Sequence, residues 1–250
     1  MKYNNELKII DTEEKAYLLG WIYGDGYCGC GTGKYKLSIA TIDTDISVFT
    51  ALQKHFPFLK LKRHKSKPNM IYLESYEKNL CLDLKNIGMI SNKKINDELG
   101  KFHFPELSGE LTHHFIRGMF DADGSAYLPT RKRSRNNLHI EFTLATKNFL
   151  YSIKSVLDKH CISFTWKERY KKAGNGKNYY CYTLLSSNKT TSLQFADFIY
   201  KDTSICLKRK FDKCYNSFSF KESNYKIFGN CPYCNSINIQ KKVLEVINKD

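Results

Sequence analysis

The chain repeats itself, and that repeat constrains its fold more than any other feature. Residues 15–27 read Lys-Ala-Tyr-Leu-Leu-Gly-Trp-Ile-Tyr-Gly-Asp-Gly-Tyr, and residues 113–125 read His-His-Phe-Ile-Arg-Gly-Met-Phe-Asp-Ala-Asp-Gly-Ser. With Gly20 set on Gly118, Asp25 meets Asp123 and Gly26 meets Gly124 without a gap, an offset of 98 residues (123 − 25). Both segments carry helical apolar spacing. The alternating segment Lys36–Thr41 has its counterpart in Asn137–Ala145, and each is followed by a helical pattern, Ile46–Phe56 and Phe149–His160. A basic stretch, a Tyr-containing strand (Asn69–Glu74 and Tyr179–Leu185) and a further helix (Asn79–Ile87 and Thr191–Tyr200) complete each copy. Each half therefore reads helix, two strands, helix, two strands, helix. A period this long describes a pseudo-dimer on one chain rather than a solenoid. The expected organisation is an N-terminal half over 1–107, a C-terminal half over 108–228 and a tail over 229–250. The halves are joined by a linker at Ser91–Ser108, where Pro105 and the following Gly109 break regular structure.

The 250 residues suit two small domains. No stretch approaches the roughly 20 apolar residues of a membrane span, so no membrane partner is expected. The N-terminal residues lack an apolar signal region. Nine cysteines without such a signal fit an intracellular, reducing compartment, either cytoplasm or organelle matrix, with mostly free thiols. Lys and Arg outnumber Asp and Glu by 40 to 25, and a net charge of +15 is the electrostatic footprint of a nucleic-acid binder.

The first repeated helix starts at a capping-box-like Asp11-Thr-Glu-Glu14 and ends at Gly26, read as the left-handed residue after a helix. Tyr17, Leu18, Trp21 and Ile22, like Phe115, Ile116, Met119 and Phe120, are expected to pack into their own half. Gly20 and Gly24, and Gly118 and Ala122, place small residues four apart on one face, where two backbones can approach closely. Side by side, the helices bring Asp25 and Asp123 together at C-terminal ends that already carry partial negative charge. A hard divalent cation relieves that repulsion and takes phosphate oxygens, so the pair points to metal-assisted phosphodiester hydrolysis. Asp-Gly is a common turn dipeptide. Two copies after matching helices on a basic chain carry more weight than one.

Leu18-Leu-Gly-Trp-Ile-Tyr-Gly-Asp-Gly26 and Ile116-Arg-Gly-Met-Phe-Asp-Ala-Asp-Gly124 resemble the two signature motifs of the LAGLIDADG homing endonucleases of the monomeric, two-motif type, over roughly residues 11–215. The resemblance implies a mixed α/β (α+β) fold. Two pseudo-symmetric αββαββα halves would meet through the motif helices, and their antiparallel sheets would form a saddle along the DNA major groove. It implies a site-specific double-stranded DNA endonuclease with Mg²⁺ (or Mn²⁺) as cofactor. Asp25 and Asp123 would be the catalytic, metal-binding acids, with the carbonyls of Gly24 and Ala122 beside the metals. Tyr23 departs from the family, which often has Asp where the second motif keeps Asp121. The family's lysine near the end of each half's last strand fits Lys189 and, more loosely, Lys78, and Lys93 and Lys94 resemble a family linker pattern. Thr143 sits where the family often has a polar water-positioning residue.

Basic residues cluster at 60–67, 131–135, 167–177 and 208–210. On a saddle, Lys62, Arg63, Lys65, Arg131, Lys132, Arg133, Arg135, Lys167, Arg169 and Lys171, with the strand residues Lys34, Lys36, Ser38, His139 and Glu141, are the expected DNA contacts, most of them to phosphate. In the tail, Cys231-Pro-Tyr-Cys234 supplies two of the four ligands of tetrahedral zinc, and an intact zinc site is not expected there. The alternative function is a non-cleaving binder on the same scaffold, an intron RNA maturase or a DNA-binding regulator. Retention of both acids favours the nuclease.

Overall fold

The computed structural model describes residues 2–31, 33–129, 137–172, 178–201 and 203–216. The first half contains α1 (Glu13–Asp25), β1 (Gly26–Gly31), β2 (Lys34–Ile42), α2 (Ile46–His55), β3 (Lys60–Arg63), β4 (Met70–Ser75) and α3 (Lys78–Asn86). After a short α4 (Lys93–Glu98), the second half repeats the order: α5 (Gly109–Asp123), β5 (Gly124–Tyr127), β6 (His139–Leu144), α6 (Lys147–Lys159), β7 (Thr165–Lys172), β8 (Asn178–Ser186) and α7 (Lys189–Tyr200). A further helix, α8 (Lys208–Asn216), follows. Each half holds a four-stranded antiparallel sheet, in the orders β1-β2-β4-β3 and β5-β6-β8-β7. The mixed α/β fold of two αββαββα halves is as the repeat predicts, and the expected helices and strands fall within a few residues of their observed bounds.

Thr12 caps α1, its hydroxyl accepting from the Lys15 amide at 3.4 Å. Every residue from Ala16 to Tyr23 is buried, as expected of a helix enclosed on all sides. One neighbour is α5. A Cβ on Gly20 would lie 2.3 Å from the Phe115 carbonyl oxygen, and one on Gly118 would lie 2.2 Å from that of Tyr17. The small residues thus seat one helix backbone on the other.

Gly26 is not a left-handed cap, which corrects the reading from sequence, and neither is its counterpart Gly124. Their φ angles are −81° and −74°, extended backbone. Glycine is needed here for space. The strand leaves each helix so abruptly that a Cβ on Gly26 would lie 2.3 Å from the Ile22 carbonyl oxygen, and one on Gly124 would lie 2.1 Å from Cδ2 of Phe120. The motif helix therefore runs straight into the first strand, and Asp25 and Asp123 stand at that junction.

The assignment of side chains to halves also needs one correction. Trp21 packs edge-on to Phe49 of its own half, ring centroids 5.3 Å apart. Tyr17, by contrast, crosses the seam, its hydroxyl donating to Asp121 Oδ2 at 2.7 Å. Tyr23 also crosses, stacking on Phe149 at 5.6 Å and meeting Phe115 edge-on at 5.2 Å.

The linker is structured. Asp97 of α4 is buried and caps α6, its carboxylate accepting from the amides of Asn148 (2.9 Å) and Phe149 (2.8 Å). Arg117 of α5 is wholly buried. It bonds the Ile199 and Ile205 carbonyls and pairs with Glu13 of α1 at 2.7 Å. Charged ties of this kind are costly to sever, because the remaining partner is left buried and unpaired. No helix among the described residues is long and apolar enough to cross a membrane.

Candidate active site at the paired helix ends

Asp25 and Asp123 end α1 and α5 and face one another closely enough to interact directly. Each is open to solvent on one side and crowded by protein on the other. Burial, with the charge of Asp25 next, pushes Asp123 up to about 6. Burial also raises Asp25, opposed by Lys93, a hydrogen bond from Asp123 and Lys210. Two carboxylates in one place resist being charged together. At this end of the seam a Cβ on Gly24 would lie 2.6 Å from Cβ of Ala122 and 3.4 Å from Asp123 Oδ2.

Two lysines complete the site, one per half. Lys93, the first residue of α4, donates to the carbonyls of Tyr23 (2.6 Å) and Gly24 at the C-terminal end of α1. Lys210 of α8 donates to the carbonyls of Phe120 (2.6 Å), Asp121 (2.8 Å) and Gly124 (2.6 Å) at the end of α5. Each ammonium satisfies orphan carbonyls and neutralises the negative end of its helix. Burial brings both lysines down to about 8, while the neighbouring carboxylates act in the opposite direction. Beside Lys93, a cavity of about 160 Å³ is lined by Tyr23, Gly24, Met119 and Asp123 among others.

The position that departs between the motifs is structural in both. Asp121 is fully buried and accepts from Tyr17 Oη, Tyr200 Oη and the Leu207 amide, each at 2.7 Å. It thereby ties α5 to α1, α7 and the entry to α8. Tyr23 fills the same place with a ring, its hydroxyl reaching the Ile87 carbonyl at 3.0 Å.

The lysines expected from sequence each open a helix. Lys78 begins α3, its Nζ 5.7 Å from the centroid of the Tyr35 ring, and Lys189 begins α7. The lysines whose charge is felt at Asp25 and Asp123 are Lys93 and Lys210. Sequence reasoning noted Lys93 in the linker and 208–210 as a basic cluster without pairing them. The signal was positional, since α4 and α8 each follow the last helix of a half.

Strand alternation sorts the expected DNA contacts. In β2, Leu37 and Ile39 are buried, so Lys34, Lys36 and Ser38 point to the other, open face. In β6, Ile140 and Phe142 are buried, leaving His139, Glu141 and Thr143 on that face. In β3, Lys62 alternates with core-facing Leu61. In β7, Lys167, Arg169 and Lys171 alternate with Trp166, which packs against the core. Arg63 shares the parity of Leu61 and pairs with Asp43 at 2.7 Å, which sets it apart from the open face. Lys65 is exposed between β3 and β4.

The open faces also carry acids. Glu74 pairs with Lys36 (2.6 Å) and Lys62 (3.1 Å), and Glu141 pairs with Arg169 (3.5 Å). Thr143 donates to Glu141 Oε1 at 2.6 Å. Arg131, Lys132, Arg133 and Arg135, and the knuckle cysteines Cys231 and Cys234, lie outside the described residues.

Comparison with known proteins agrees with this architecture. Residues 110–199 match the model of the LAGLIDADG-like domain. Among solved structures, the LAGLIDADG meganuclease I-AabMI bound to uncleaved DNA aligns with a TM-score of 0.50 at 16% identity, over 80% of this chain and 89% of that one. The I-SmaMI LAGLIDADG homing endonuclease bound to cleaved DNA aligns with a TM-score of 0.53 at 12% identity, over 82% of this chain and 87% of that one. No curated protein sequence matches the chain. Residues 110–199 are thus similar to a LAGLIDADG-like domain, and about four fifths of the chain shares the fold of these two structures.

Proposed function

We propose that the protein is a site-specific, metal-dependent double-stranded DNA endonuclease. The observation that carries this reading is the convergence of Asp25 and Asp123 at two packed helix C-termini, one end held by the part-buried Lys93 and the other by the buried Lys210. Two carboxylates in one place resist being charged together, which a cation between them relieves, and hard oxygen donors suit Mg²⁺ or Mn²⁺. The residues that would hold it are Asp25 and Asp123, with the Ala122 and Gly24 carbonyls adjacent; the Gly24 carbonyl is here bonded to Lys93. A divalent cation bound there supplies Lewis-acid polarisation of the scissile phosphate.

The rest of the work falls to the chain. Lys93 and Lys210 keep positive charge beside the reacting phosphate, where charge develops during phosphoryl transfer. Glycines at the seam fix the two acids relative to one another. Lys34, Lys36 and Lys62 on one sheet, and Lys167, Arg169 and Lys171 on the other, hold the duplex mainly by its phosphates. The DNA-bound states of I-AabMI and I-SmaMI support double-stranded DNA as the partner. One chain suffices, since both acids come from the same polypeptide.

The test is cleavage selection on a randomised duplex library with Mg²⁺ or with EDTA, followed by sequencing of the ends. Ends at one long site that require Mg²⁺ are expected. Tight, salt-sensitive binding without ends would move the reading to a non-cleaving binder, with intron RNA as the next ligand to try.

A further inference from the structure

We propose that Cys28, Cys30 and Cys81 form a binding site for one thiophilic d¹⁰ cation of the zinc(II) class, with solvent in its fourth coordination position. The site lies on the helix-covered side of the first sheet. Cys28 and Cys30 are two apart on β1, so both side chains leave the strand on the same face. Cys81 comes from α3, which packs against that face. The three sulfurs all lie within 4.8 Å of one another. Cys28 Sγ and Cys30 Sγ are 3.8 Å apart. That is the edge of a tetrahedron whose metal–sulfur arms are about 2.3 Å long.

Without a metal, the Cys30 thiol donates to the Cys81 carbonyl at 3.1 Å. Loading one cation releases three thiol protons and leaves a single net negative charge, which the nearby Lys85 offsets. Cys28 and Cys81 are buried, while Cys30 is half-exposed, so the open position and the path of entry lie on the Cys30 side. Soft thiolates select this class of ion over Mg²⁺, which keeps the site chemically separate from Asp25 and Asp123.

Packing alone does not call for cysteine at these places. The corresponding positions of the second half are Ala126 and Leu128 after the motif helix, and Ser192 as the fourth residue of α7. Among the described residues, this trio is the one group of three His, Cys, Asp or Glu side chains with ligand atoms gathered this closely. A bound cation would fasten edge strand β1, which leaves directly from Asp25, to α3.

The experiment uses the full chain, reduced with a phosphine and freed of metal, and titrated with Co²⁺ as a spectroscopic probe. Thiolate-to-cobalt absorption saturating near one equivalent and displaced by Zn²⁺ is expected. Cys30→Ser, a half-exposed change whose fold is checked by circular dichroism, should weaken binding by about a hundredfold. It should also abolish the zinc-induced rise in Tm. A Cys231→Ser/Cys234→Ser double variant should bind as the wild type does, which excludes the tail as the ligand source. The proposal is overturned if the wild type gives no such absorption, if Cys30→Ser binds unchanged, or if the absorption disappears with the tail cysteines instead.

Discussion

The two halves are alike where the helices meet and different in what stands behind them. At the seam each contributes a glycine in backbone contact, a terminal aspartate, a following glycine and a lysine from a short helix placed after the repeat. Behind the seam, the first half uses an aromatic ring at Tyr23 and a thiol cluster under β1. The second uses buried charge, with Asp121 accepting from three donors and Arg117 clasping Glu13 and two carbonyls. Symmetry is kept where chemistry on two strands of a duplex would need it. It is relaxed where any means of fixing the helix will serve.

This contrast can be broken by mutation, most severely in the second half. Asp121→Ala leaves two buried tyrosine hydroxyls and an amide without their acceptor, and each unmet donor costs about 1–3 kcal/mol. A loss of roughly 3–5 kcal/mol in denaturant unfolding is expected, as for one partner removed from a buried polar network. Tyr23→Phe removes one hydroxyl bonded to a carbonyl and should cost about 1 kcal/mol. Equal losses at the two positions would show that the ring and the carboxylate are interchangeable supports.

Substitutions at the seam should instead be symmetric. Gly20→Ala and Gly118→Ala both drive a methyl into a backbone carbonyl, which cannot step aside as a side chain would. Each should cost about 3 kcal/mol, the upper end for overpacking. Unequal costs in thermal or denaturant melts would mean that one half gives way to the other.

The lysines provide a sharper comparison. Lys93→Met and Lys210→Met should each lower cleavage by about 10²-fold, the scale set by loss of one charge-stabilising group. Lys78→Met and Lys189→Met should change it less than about tenfold by the same measure. The reverse ranking would restore the lysines expected from the strand ends.

The smallest expected effect is on the open face of the first sheet. Burial raises Glu74, but hydrogen bonds from Lys36, Lys62 and Tyr76 outweigh it and hold the carboxyl down at about 2. Because its folded pKa lies below the unfolded value of about 4.3, Glu74 stabilises the fold above that value and loses the contribution as pH falls toward 2. Both lysines are well exposed, so the sum stays under about 1 kcal/mol. Glu74→Gln should flatten the acid limb of the stability–pH curve slightly and tighten DNA binding at low salt. An unchanged acid limb would show that these ion pairs are silent.

The sequence contrast also explains which features could be read in advance. The strands were legible because buried positions alternate in β2 and β6, and the helices α1 and α5 because the same segment is written twice. The paired acids were legible because the repeat aligns them without a gap. Lys93 and Lys210 were not, since each reaches its helix end from outside the repeat, through α4 and α8, across gaps of about 70 and 90 residues that no local pattern spans. The reason for Gly26 and Gly124 was also hidden. Close approach to Ile22 and Phe120 is a property of how the strand leaves the helix, and the dipeptide Asp-Gly reads the same for a turn. The thiol trio needs β1 and α3 to be packed before three scattered cysteines become one group.

The central claim is that the two acids work as a pair, one from each half. The most direct test is double-strand cleavage of the selected duplex by Asp25→Asn and Asp123→Asn, measured beside binding at the same salt concentration. The account predicts that neither variant makes double-strand ends while both still bind the duplex with the wild-type salt dependence. Persistent double-strand cleavage by either variant would contradict it.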